Sequence, residues 1–441
     1  MPNILTAVVS LVLVAQLVAC GQSKETPVVS DEHTPNAPVE PDETGSDIEW
    51  FQGSVDAAFA HARAEQKPIF LYWGAVWCPP CHEIKVTVFD TSSFVERSRL
   101  FVPVYLDGDT DNAQEIGERF GVLGYPTMIV FSPDGTEITR IPGGIDIQAY
   151  ANVLDLTLQN ARPVSDLLAG VLDNDDRLSA NDCRLVAFYS WGQNKTILED
   201  RDQADVFRRL YEACPVDNTV ERSRLYLDYL GQAIDAANRP DKPIPLSDEQ
   251  VEHALGELHV FVDSYVAVKA NLYSALLDGA KLTAALTESG SADRANLTKK
   301  YLATLERIAS DESVFTTERL YTAIGKMRFE RIDDPEAEIS DDLKAETRKL
   351  IAWADRATPD VYARQTVMNG ASNVLNEAGM NAEARAMLET EIKKSNQPYY
   401  FMVSLADVEQ ADGNYDLAIE LLEQAYAEAT GPATRFQWGT Y

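Results

Sequence analysis

The chain has 441 residues, 45% of them hydrophobic, and a formal net charge of -32 at pH 7. That length accommodates about three domains, and that share of apolar residues is ample for buried cores. The acidity argues against nucleic acid and anionic lipid surfaces as partners, because a polyanion is bound through a basic surface.

The N-terminus carries an address. Residues 4–18 are an apolar run too short for a comfortable membrane span. The run stops at Leu17-Val18-Ala19-Cys20, which resembles the lipobox of bacterial lipoproteins. The resemblance implies that residues 1–19 are a signal peptide and that Cys20 is lipidated as the mature N-terminus. Gly21 carries no retention acid, which under that family's sorting rule implies the periplasmic side of the outer membrane. Met1-Pro2-Asn3 lacks the positive charge usual before such a run, and a plain secretory signal or an uncleaved anchor remains the alternative. Either way, the bulk of the chain is expected in a compartment where disulfides persist. Residues 20–47 are rich in Pro, Glu, Asp, Ser and Thr and read as a disordered tether.

Residues 54–66 space Val55, Ala58, Phe59 and Ala62 as one face of a helix. Residues 69–73 are apolar, aromatic and free of charge, which predicts a buried strand. After Gly74-Ala75 comes Trp77-Cys78-Pro79-Pro80-Cys81. Proline is tolerated in the first turn of a helix, where its missing N–H would be unpaired anyway. Cys78 is therefore expected at a helix mouth and Cys81 one turn further in. Free N–H groups and the positive end of the helix dipole favour a thiolate at Cys78, and Cys81 is in reach to close a disulfide on it. A metal site or two buried structural cysteines is the alternative. Zinc usually takes four ligands, and the chain has no second C-x-x-C and no H-x-x-x-H. No metal and no organic cofactor is expected.

A strand is predicted over 101–106. The stretch Asp107-Gly108-Asp109-Thr110-Asp111-Asn112, with Glu118, mimics a calcium loop. Asn112 stands where such a loop needs glycine and a strand precedes it, so a solvated strand-to-helix turn competes with the calcium reading. Tyr125-Pro126-Thr127 then lies between a helix ending near Phe120 and a strand over 127–131. Ser132-Pro133-Asp134-Gly135 predicts a hairpin-type turn into a strand over 137–141. Gly143-Gly144 ends the sheet, and a helix follows over 146–158 with Ile147, Tyr150, Val153, Leu154 and Leu158 inward.

Taken together, residues 48–160, about a quarter of the chain, resemble an α/β thioredoxin fold, most closely the C-terminal domain of DsbD-type thiol:disulfide interchange proteins. The resemblance implies a central mixed sheet flanked by helices and a catalytic Cys78 resolved by Cys81. Trp77 would pack beside the pair, and Pro79 and Pro80 would shape the helix start. It also implies that Pro126 is cis and faces the pair, with Tyr125-Pro126 docking a client backbone as a short β-pairing. One departure concerns proton transfer. The family's buried acid, six residues before the first cysteine, is here Tyr72. Glu83 either stands in for it or lies on a solvated helix face.

Beyond residue 161 strand signals vanish. Helices are predicted over 166–172, 184–191, 202–212, 220–237, 295–309, 317–329 and 343–354, and Ser247 with Gln250 forms a capping box that opens another. Cys183 and Cys214 either pair, as cysteines of an exported chain often do, or remain separate buried thiols. His253 and His259 are not at ligand spacing. Residues 378–384 align with 412–418 at an offset of 34, the period of tetratricopeptide repeats. The expected organisation is a helical domain over 161–360, read as degenerate repeats, and an all-α domain of TPR-like repeats over 361–441, with an ordinary helical bundle as the alternative.

The reading that follows is an exported, membrane-anchored thiol–disulfide oxidoreductase. It would act on protein substrates carrying disulfides or thiols and exchange electrons with a redox partner protein. A scaffold lipoprotein using the same fold as a binding module is the alternative from another class, and thiol peroxidase chemistry is a third.

Overall fold

A computed structural model describes residues 47–75, 78–143, 147–159, 161–194, 196–198, 201–429, 431 and 435. Cys20, the tether up to residue 46, and Trp77 lie outside the described residues.

The first helix, α1 (Val55–Glu65), starts where Ser54 Oγ accepts the Ala57 N–H at 3.2 Å. Strand β1 (Ile69–Gly74) follows, then α2 (Pro79–Ile84), which runs on as one π-helical turn, Lys85–Phe89. Next come α3 (Ser92–Ser98), β2 (Val102–Asp107), α4 (Asp111–Phe120), β3 (Thr127–Phe131), β4 (Glu137–Ile141) and α5 (Ile147–Thr157). The sheet order is β2-β1-β3-β4. Strand β1 is parallel to β2 and antiparallel to β3, and β3 is antiparallel to β4.

Successive side chains of a strand point to opposite faces. Ile69, Leu71 and Trp73 pack with Phe59 of α1 and Ala113 of α4, whereas Phe70 and Tyr72 face Cys81, Ile84 and Phe89. All six residues of β1 are buried. A strand covered on both faces cannot alternate with polar residues, which explains its unbroken apolar run. The calcium-like stretch is a capped strand-to-helix turn: Thr110 Oγ1 accepts the Ala113 N–H at 3.3 Å, and Asp107 Oδ1 accepts the Asp109 N–H at 3.0 Å.

The remainder is largely helical: α6 (Val164–Asn174), α7 (Ala180–Ala187), α8 (Gln203–Ala213), α9 (Thr219–Ala237), α10 (Asp248–Asp263), α11 (Tyr265–Ala270), α12 (Gly279–Leu286) and α13 (Ala292–Ser310). Then follow α14 (Thr316–Glu330), α15 (Asp341–Ala357), α16 (Val361–Glu377), α17 (Asn381–Lys394), α18 (Pro398–Ala411) and α19 (Tyr415–Glu428). The sheet domain and these helices lie within one compact unit. One apolar cluster runs from Phe70 and Met128 through Leu168, Leu225 and Leu258 to Leu305. Among the described residues, no helix is long and apolar enough to cross a membrane.

The helix expected over 184–191 lies earlier. The capping box of Ser179 with Asp182 starts α7 upstream, and Trp191 falls in a separate 3₁₀ turn, Trp191–Gln193. The short α11 and α12, divided by a π turn over Ser274–Asp278, have small apolar residues on several sides and so no clear amphipathic period. At the C-terminal end, helices recur at the spacing of 34: α17 and α19 start at 381 and 415 and end at 394 and 428. Gly379 and Gly413, at the same offset, both have positive φ (68° and 78°), the left-handed conformation that ends a helix and that glycine adopts without strain.

Cys183 of α7 and Cys214, the residue after α8, are joined by a disulfide and buried. It closes a segment with a sequence separation of 31. Replacing both by Ala is expected to lower stability by about 3–4 kcal/mol through the unfolded chain's regained freedom. Urea denaturation read by circular dichroism checks this.

Candidate active site

Strand β1 delivers the chain to Ala75, whose carbonyl accepts the Cys78 N–H at 3.1 Å. Cys78 has extended backbone (φ -83°, ψ 110°) and is the N-cap of α2. Its Sγ accepts the Cys81 N–H at 3.2 Å, the contact a serine or aspartate oxygen makes at an ordinary cap. The two prolines at the start of the helix have no N–H to offer. The first amide able to donate within the helix is thus that of Cys81, and it points at the sulfur. Cys78 and Cys81 form a disulfide with Cα atoms 5.2 Å apart. The pair is nearly covered, with Cys78 2% and Cys81 4% exposed.

Tyr72, on β1, belongs to the same apolar cluster as the two cysteines. Its ring packs edge-on to Phe89 at 4.8 Å and stacks with Tyr105 at 5.5 Å. Burial pushes the phenol well above its usual range, so it is a neutral group at the place where the resembled family has an acid.

The Tyr125-Pro126 peptide is cis. Pro126 is buried, and Gly143 crosses close beside it: a Cβ at Gly143 would lie 3.2 Å from Pro126 Cγ and 3.3 Å from Ile84 Cδ1. The Tyr125 ring anchors the loop. It packs on Trp73, with centroids 6.2 Å apart, and its hydroxyl accepts from Gln114 Nε2 at 2.8 Å. Gln193, in the 3₁₀ turn after α7, braces the loop from the other side. Its Nε2 donates to the Pro126 carbonyl at 3.0 Å, and Thr127 Oγ1 donates to its Oε1 at 2.9 Å. The buried Arg140 holds that turn by donating to the Gln193 carbonyl at 2.7 Å. No sequence signal points to Gln193, because an amide in a short turn has no distinguishing pattern.

A cleft of about 760 Å³ lies between this region and the helices. Pro80, Glu83 and Pro126 line one wall, and Tyr273, Glu318 and Tyr321 the other. Helix α2 also packs on α16. Glu83 is therefore not on a solvated face. Burial, and next the Glu318 carboxylate opposite, push its carboxyl well above the usual range. Burial raises the carboxyl of Glu318, in the first turn of α14, as well, and a side-chain hydrogen bond joins the two acids, so they share a proton.

Residues 55–157 match the thioredoxin-like domain family. The thiol:disulfide interchange protein DsbD of Pseudomonas fluorescens is 34% identical over 103 residues, 22% of this chain and 17% of that protein. DsbD 1 of Pseudomonas aeruginosa is 32% identical over 104 residues, 23% of this chain and 18% of that protein. The chloroplastic thioredoxin-like protein CITRX of Oryza sativa subsp. indica is 34% identical over 95 residues, 21% of this chain and 48% of that protein. The chain thus carries a thioredoxin-like domain and spans less than half the length of these relatives. The Cys78–Cys81 disulfide fits a redox motif.

Gly108 allows the Tyr125 ring its place, since a Cβ there would run into Tyr125 Cε1. Gly108→Ala must displace that ring, and overpacking of this kind is expected to destabilise by about 1–3 kcal/mol. Chemical denaturation of the oxidised variant measures it.

Proposed function

We propose that the chain is an exported, lipid-anchored thiol–disulfide oxidoreductase whose CPPC pair exchanges electrons with protein clients. The observation that carries this reading is the placement of Cys78: Sγ caps a helix, receives the Cys81 N–H at 3.2 Å, and is bonded to the second sulfur of the motif. An amide aimed at sulfur stabilises the thiolate, the form that attacks a disulfide.

In the reducing direction, the Cys78 thiolate attacks one sulfur of a client disulfide. The client's S–S bond breaks, one client thiolate leaves, and a Cys78–client mixed disulfide forms. Cys81, deprotonated, attacks Cys78 Sγ and releases the second client thiolate. Two electrons pass to the client, whose thiolates take protons from water, and the pair ends as the Cys78–Cys81 disulfide. A partner dithiol protein restores it by the same exchange in reverse. The cleft along Pro80, Glu83 and Pro126 supports a client that enters as an extended segment beside the motif. The cis Pro126 loop, braced by Gln193, would dock that segment through its backbone.

The apolar N-terminal run ending at Cys20 supports the lipid anchor and the periplasmic location. The 34-residue recurrence of helix pairs supports a TPR-like role for the C-terminal helices in binding partners.

Cys81→Ala blocks resolution, so it is expected to accumulate DTT-sensitive adducts of Cys78 with exported proteins, and the Cys78→Ala, Cys81→Ala double variant none. The intact protein is expected to reduce insulin disulfides when supplied with DTT. Diagonal electrophoresis and a turbidity assay read the two results. No adducts together with no insulin reduction would favour the scaffold reading.

A further inference from the structure

The cleft beside α2 holds two acids against each other, Glu83 and Glu318. Glu318 is 4% exposed, and its Oε2 receives no N–H or hydroxyl from the described residues. Oε1 accepts from the Tyr273 hydroxyl at 3.3 Å. Opposite lies Glu83, and the rings of Tyr273 and Tyr321 stand beside the two acids with centroids 6.5 Å apart. Two carboxyls flanked by phenol rings are the lining that suits a cation, through charge and through the ring faces. The cations already in the cleft are committed elsewhere. Lys269 Nζ donates to Ser313 Oγ at 2.8 Å and pairs with Asp311 at 3.8 Å. Arg224 donates to the Ala270 carbonyl at 3.3 Å and to Asn271 Oδ1 at 3.2 Å.

We propose that Glu83 and Glu318 form a recognition site for a basic side chain, Lys or Arg, on the client segment that lies across Pro80 and Pro126. This rests on the exchange reading above and names the class of client it selects. Pro80, Glu83, Ile84 and Thr87 line the cleft from one face of α2 and its π-helical continuation, so a segment over the CPPC motif runs past Glu83. The net charge of -32 draws basic segments toward the molecule. In the empty cleft the proton shared by the two acids takes the cation's place. An arriving ammonium or guanidinium displaces it, Glu83 ionises, and the proton goes to solvent. Binding of the basic segment therefore strengthens as pH rises toward the elevated pKa of the pair and levels off above it. The titratable and charged groups that line the cleft with the pair are Tyr273, Tyr321 of α14, Lys269 of α11, Arg224 of α9 and Tyr400 of α18; α16 contributes the uncharged Thr366 and Asn369.

The test is binding, separate from exchange. Fluorescein-labelled extended peptides, with serine in place of cysteine and Arg, Gln or Glu at the neighbouring positions, are titrated against the oxidised full chain from about pH 5 to about pH 9, the range over which buried carboxyls titrate. Anisotropy is expected to show the Arg peptide binding on the order of tenfold tighter than the Gln peptide, with the preference growing with pH. Glu318→Gln and, independently, Glu83→Gln are expected to bring the Arg-to-Gln ratio close to one and to flatten its pH dependence. Equal binding of the Arg and Gln peptides by the wild-type chain, or a preference that survives in both variants, overturns the proposal. Failure of the dithiol form to reduce insulin would instead sink the exchange reading, which these peptides do not probe.

Discussion

Helix α2 is six residues long and is buried from two directions. Cys81 and Ile84 go into the core beneath β1, while Pro80 and Glu83 face the wall made by α14 and its neighbours. So short a helix has little stability of its own and is held by tertiary packing. The position of Cys78 Sγ is set by that packing from both sides. So is the width of the cleft along Pro80 and Glu83, because the wall opposite belongs to the same chain.

The second consequence concerns charge. Where the resembled family keeps an acid beneath the cysteines, β1 supplies Tyr72, locked among aromatic rings and neutral. The acids near the motif lie on the cleft side instead, and one of them comes from α14. Burying two facing carboxyls is unfavourable unless they share a proton or gain a cation. The carboxyls of this chain thus act toward whatever enters the cleft, with the thiols shielded on the other side of α2.

The helical remainder is continuous with this arrangement. Gln193, from the turn after α7, hydrogen-bonds the carbonyl of Pro126, and Arg140 of β4 holds that turn in place. The cis-proline loop therefore has part of its support outside residues 55–157, the span of the thioredoxin-like match. The disulfide between Cys183 and Cys214 ties α7 to the end of α8.

Some of this was legible in the residues alone. Strands β3 and β4 fall on the residues expected for them, because their apolar runs are bounded by a proline and by the Asp134-Gly135 turn. Cys78 could be placed at a helix mouth because prolines at the next two positions fit the first turn of a helix and little else. The recurrence at 34 residues showed in sequence because glycine is needed at the same turn of each helix pair. What could not be read is what depends on residues distant in the chain. Glu83 looked like a solvated helix residue because no local pattern says that Glu318 lies opposite. Gln193 and Tyr273 carry no motif. Periodicity and turn chemistry are local, so they determined the elements and the place of the sulfur. Only tertiary packing decided that a second wall faces α2, and which charges that wall holds.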